Sequence, residues 1–87
     1  MENRPMALTD LEINEIAALP EIQALWGGEN VAVMAQILQN IYTVKFRYVN
    51  GSPGYTGDLF IIQPDVLGSE CPVTRLIRNR ENKLVIL

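Results

Sequence analysis

The sequence predicts an α+β fold in which two or three N-terminal helices pack on one face of a four-stranded antiparallel β-meander. Three observations carry that expectation: strong helix start and stop signals within residues 9–40, a switch to two-residue periodicity after residue 41, and a short polar turn between two apolar runs at the end of the chain. With 87 residues, 48% of them hydrophobic and 20% charged, the chain is read as a single domain. Its helical part covers residues 9–40 and its β part residues 41–87. A chain of this size buries only about 60–65% of its unfolded surface, so its core has little to spare.

The first helix starts at a doubly marked position. Thr9 and Glu12 have the spacing of a capping box, in which each side chain accepts a hydrogen bond from the other residue's amide. Leu8 and Ile13 occupy the positions of a hydrophobic staple around it. Asp10 and Glu12 place negative charge at the positive end of the helix dipole. Pro20 has no amide hydrogen and disfavours helical geometry at Leu19, which predicts a stop there. The segment "PEIQALW" then reads as a second helix of about two turns, with proline in its first turn and Gly27 as the left-handed residue that closes it. Trp26, at its end, is assigned to the core.

A third helix over residues 30–40, "NVAVMAQILQN", has no charged residue and an apolar arc wider than one sheet face covers. That excess makes it the central helix and nominates it as a dimer element. From residue 42 the period becomes two: Tyr42, Val44, Phe46 and Tyr48 alternate with Thr43, Lys45 and Arg47, the pattern of a strand with one face on a core and the other in water. Residues 59–62 are apolar on both parities and read as a central strand. "VTRLIR" and "KLVIL", joined by the polar "NREN", read as a hairpin.

The charges are divided along the chain. Residues 1–40 hold one cation, Arg4, against six carboxylates, whereas residues 41–87 hold six cations against four. Attraction between two halves of one domain is the simplest account of that division. The alternative, a basic face of Lys45, Arg47, Arg75 and Arg78 for single-stranded nucleic acid, has stacking rings in Tyr42, Phe46 and Tyr48, but these lie on the opposite parity from Lys45 and Arg47. A winged-helix reading has the right element order, yet its recognition helix would be the third helix, which has no lysine or arginine to neutralise phosphate. Nucleic acid is therefore a disfavoured partner.

The glycines of "YVNGSPGYTGDLFIIQ" match neither a dinucleotide fingerprint nor a phosphate-binding P-loop. They read first as turn residues. As a second reading, Gly51, Ser52, Gly54, Tyr55, Thr56 and Gly57 form a candidate anion or small-ligand loop of backbone amides and hydroxyls.

Catalytic equipment is sparse. The chain has no histidine, and its single cysteine, Cys71, has no base to activate it. No catalytic residue, metal ligand or cofactor is assigned, and the chain is expected not to be an enzyme. The apolar runs at residues 59–62 and 84–87 are far shorter than the roughly 20 residues of a membrane helix. No secretory leader is legible at the start, and a single cysteine suits a reducing compartment, so a cytoplasmic location is expected. The preferred functional expectation is a protein-interaction or regulatory module forming a homodimer, with Val33, Ile37, Val85 and Leu87 as the candidate oligomer surface.

Overall fold

A computed structural model describes residues 5–47, 57–64 and 73–87. The elements run β1 (Pro5–Met6), α1 (Asp10–Ala17), α2 (Pro20–Trp26), α3 (Val31–Asn40), β2 (Tyr42–Arg47), β3 (Asp58–Gln63), β4 (Thr74–Arg78) and β5 (Leu84–Ile86). The strands form one sheet in the order β1-β2-β3-β4-β5, with every neighbouring pair antiparallel. The fold is the expected α+β meander with one strand added at its edge. That strand, β1, sets Pro5 opposite Phe46 and Met6 opposite Lys45. Two residues, one of them a proline without an amide donor, carry no strand signal of their own, and such a pair is tolerated only at an edge.

Helix boundaries follow the local chemistry. The Thr9 amide donates to Glu12 Oε1 at 2.9 Å and the Glu12 amide to Thr9 Oγ1 at 3.2 Å, completing the capping box of α1. Leu19 is extended, at φ −74° and ψ 121°, and Pro20 opens α2. Gly27 closes α2 at φ 75°. Asn30 caps α3 by accepting the Val33 amide at 3.0 Å.

The hairpin turns on Asn79, whose Oδ1 accepts from the amides of Glu81 and Lys83 at 2.9 and 3.0 Å. Asn82 takes the left-handed position at φ 64°, which asparagine adopts more readily than most residues. A three-residue loop ending in a left-handed residue matches the right-handed twist of the strands it joins.

The core draws on every helix and on β3 and β4. Ile16, Ile22, Met34, Phe60, Ile62 and Leu76 have no exposed surface, and Trp26 lies among them with its indole N–H donating to Thr74 Oγ1 at 3.2 Å. Each such aliphatic side chain contributes about 1.5–3 kcal/mol by leaving water. One close approach is invisible to pattern reading. A Cβ at Gly28 would sit 2.9 Å from Met34 Cβ and 3.1 Å from Met34 Cα, so the bare glycine lets α3 start against the chain leaving α2.

These two adjacent glycines make different demands. At Gly27 a Cβ meets nothing within 4 Å, but the left-handed backbone remains. Gly27→Ala is expected to cost about 1 kcal/mol through the backbone alone. Gly28→Ala is expected to cost about 2 kcal/mol through overpacking, because the Met34 sulfur it meets at 2.9 Å can swing away but the Met34 Cβ and Cα belong to the helix stem and cannot. Urea denaturation of the two variants checks the ranking.

Candidate interaction face

The helices meet the sheet through a set of polar contacts that share one side. Thr43 Oγ1 donates to the Leu38 carbonyl at 3.1 Å, and Lys45 Nζ donates to both carboxylate oxygens of Glu12 at 3.1 and 2.9 Å. Trp26 reaches Thr74, and Arg78 Nη1 donates to Glu15 Oε2 at 2.7 Å. The strand register sets Thr43 opposite Ile62, Lys45 opposite Phe60, and Phe60 opposite Leu76. All these residues therefore belong to the helix side of the sheet.

The alternation of β2 is thus resolved against its polarity. Its apolar set would ordinarily turn inward, yet Lys45 is buried at 6% exposure while Tyr42 is 49% exposed. The cause lies in α1, whose Glu12 and Glu15 point at the sheet and draw Lys45 and Arg78 to that side. The lysine's methylene stem lies along the apolar layer and delivers its ammonium to the carboxylate. Arg78 also stands 5.6 Å from the centroid of the Phe60 ring, within cation–π range.

Burial by itself raises the Glu12 pKa. The amide hydrogen bond from Thr9 and the hydrogen bond and charge of Lys45 act the other way and leave it below the ordinary carboxylate value. The hydrogen bonds that Arg78 donates to Glu15 hold its guanidinium above its ordinary value, against the effect of its own burial.

Turning Thr43, Lys45 and Arg47 inward turns Val44 and Phe46 outward, and the register carries the other strands with them. Phe46, Leu59, Ile77 and Val85 form one row across β2, β3, β4 and β5, and Pro5 of β1 extends it. Val44, Ile61 and Arg75 form the next row. None of these residues belongs to the core cluster or is among the partly buried side chains packed against it. No described helix covers this face. Arg75 is the one charged side chain of that parity among the described strand residues.

The residues nominated from sequence are placed as follows. Val85 and Leu87 lie toward the open face at 41% and 69% exposure, whereas Val33 and Ile37 sit on α3, on the helix side. They do not form one surface. Lys45, Arg47 and Arg78 are on the helix side and paired with Glu12, Asp58 and Glu15, while Arg75 is on the opposite side. These four cations make no common basic face. Of the glycine-loop candidates, Gly51, Ser52, Gly54, Tyr55 and Thr56 lie outside the described residues, as does Cys71. Gly57 is described, buried, and at φ 105°, the glycine geometry expected where the chain enters β3.

Sequence reading did not place the half-buried Val44, Phe46, Leu59, Ile61 and Ile77 on the side of the sheet away from the helices. A signal was present in β3, since a strand apolar on both parities in a sheet with helices on one side leaves its second face to be covered. An open groove of about 510 Å³ runs beside Leu25, Val73, Thr74, Arg75, Ile86 and Leu87. Among the described residues no group of three carboxylates or thiols is placed to hold a metal ion, and no helix is long and apolar enough to cross a membrane.

Helices on one side and a mainly apolar sheet surface on the other define an α+β domain with one sheet face that no described helix covers. The chain matches no family model, no curated protein and no solved structure.

The buried pair makes two linked predictions. The Lys45 and Glu12 side chains are only 7% and 12% exposed. Lys45→Met is expected to cost about 2–3 kcal/mol by stranding a carboxylate, and the double variant with Glu12→Gln, which keeps the capping box, is expected to lose less than the sum of the single losses. Because folded Glu12 holds its proton less tightly than the unfolded chain, its stabilisation is complete above the unfolded value of about 4.3 and is lost as pH falls through the lower folded value. Glu12→Gln is expected to flatten that acid limb in urea midpoints measured from pH 3 to 7.

Proposed function

We propose that this chain is a small self-associating protein-interaction module, without catalytic activity, that works by burying the open face of its sheet. The observation that carries the proposal is the row from Phe46 to Val85, apolar on all four strands and uncovered by any described helix. A patch of this kind costs water contact on every copy, and a partner surface removes that cost. The division of charge adds support, since Lys45, Arg47, Arg78 and Lys83 of the β part are already engaged by carboxylates. The single cysteine favours a reducing setting such as the cytoplasm.

Light scattering over a hundredfold range of concentration is expected to show a mass that rises from monomer to dimer. Ile61→Lys, in the middle of the face and away from the core, is expected to weaken association by at least tenfold while leaving the far-ultraviolet circular dichroism unchanged. A mass that stays monomeric throughout would falsify the proposal.

A further inference from the structure

We propose that the free edge of β5 is a docking site for an extended peptide of another protein, which adds a sixth strand to the sheet and places a carboxylate side chain beside Arg75. This edge is a different surface from the open sheet face. The register decides which of its backbone groups are free. The Leu87 amide donates to the Arg75 carbonyl at 2.8 Å and the Asn79 amide to the Lys83 carbonyl at 2.9 Å, so Lys83, Val85 and Leu87 turn their backbone groups toward β4. Leu84 and Ile86 turn theirs away from it. Those outward groups have no hydrogen-bond partner among the described residues. The opposite edge is closed differently, since β1 is two residues long and Pro5 has no amide hydrogen to give. The β5 edge has no proline.

The charge on this margin fixes the chemistry of the occupant. Arg75 stands between Val73 and Ile77 along β4 and between Ile61 and Leu87 across the neighbouring strands. All four are apolar. No ion pair joins Arg75 to a described carboxylate, whereas Lys45, Arg47 and Arg78, the other cations of the described strands, are each paired. The row of Ile61, Arg75 and Leu87 ends at the sheet margin, and its next position belongs to an added strand. That position lies two strand spacings, about 10 Å, from Arg75, a gap that an arginine and a glutamate side chain close from both ends. A second copy paired to β5 about its middle residue, Val85, would set Lys83 there instead, a further cation.

An apolar slot lies beside the carboxylate position. The groove of about 510 Å³ next to Arg75 is walled by Leu25, Val73, Ile86 and Leu87, and Leu25, Val73 and Leu87 are exposed at 43%, 44% and 69%. Successive residues of an added strand point to opposite sides of the sheet. The residue opposite Ile86 therefore shares the side of Ile86, toward Leu25 of α2, and its neighbour opposite Leu87 shares the side of Arg75. The recognised segment is an extended one with an apolar residue next to an acidic one. Main-chain hydrogen bonds at Leu84 and Ile86 supply its affinity, and those two side chains supply its selectivity.

Strand pairing runs through the main chain, so the test needs no native partner sequence. The probe is a fluorescein-labelled, end-capped peptide of eight residues, threonine and serine with a leucine and a glutamate adjacent at its centre, titrated into the unaltered chain. Its anisotropy is expected to saturate, and the amides of Leu84 and Ile86 are expected to exchange their hydrogens about tenfold more slowly in the complex. Glutamine in place of the peptide glutamate is expected to weaken binding about fivefold, and Arg75→Gln to remove that preference with the circular dichroism unchanged. Equal affinity of the glutamate and glutamine peptides overturns the role of Arg75, and no binding at millimolar peptide overturns the site. Displacement of the peptide by decanoate, with its affinity unaffected by N-methylation of its backbone, would make the groove a small-carboxylate site and overturn strand addition. Protection of the Leu84 and Ile86 amides in the free chain, rising with its dimer mass in light scattering, would place a second copy on this edge and overturn the peptide.

Discussion

The contact on which the rest of the structure depends is the one between Glu12 and Lys45. Glu12 takes the Thr9 amide on Oε1, which starts α1, and takes the Lys45 ammonium on both oxygens, which anchors α1 to the sheet. One side chain therefore starts a helix and orients a strand. Because side chains alternate strictly along a strand, committing Lys45 to the helix side commits Val44 and Phe46 to the other side. Antiparallel pairing then propagates that choice to Leu59, Ile61, Ile77 and Val85 without further instruction.

The same contact explains the charge division along the chain. The acidic first half and the more basic second half meet at Glu12 with Lys45 and at Glu15 with Arg78. Both carboxylates lie on α1, three residues apart, which places them on one helix face. Between the two pairs lies the Phe60 ring, fully buried and approached by Arg78. The seam is thus polar at its ends and apolar in its middle. No buried side-chain polar atom among the described residues is left without a hydrogen-bond partner, so the seam avoids the desolvation penalty that an incomplete ionic network carries.

A small domain has few apolar residues to distribute, and this one places them on both sides of a single sheet. The helix layer receives Phe60, Ile62 and Leu76, and the open side receives a comparable set. That placement leaves a second, mainly apolar surface on the sheet opposite the one that folding uses. It also connects local chemistry to the proposed function: α1 capping, by fixing Glu12, fixes which residues are available to a partner.

What the sequence by itself determined is whatever depends on neighbours along the chain. The capping box at Thr9, the break at Pro20, the left-handed Gly27 and the hairpin around Asn79 are all decided within about five residues, where sequence separation and spatial separation coincide. The α+β class and the antiparallel meander follow from those local elements and their order. Of the open sheet face, only Val85 and Leu87 were legible, and they were grouped with Val33 and Ile37, which lie on the helix side. The alternation in β2 announces two faces but carries no label for the covered one. Only the tertiary structure decided that, because the deciding partner of Lys45 is 33 residues away in α1. The same holds for β1, which is a strand only because β2 offers it an edge, and for Gly28, whose missing side chain matters only because Met34 stands against it.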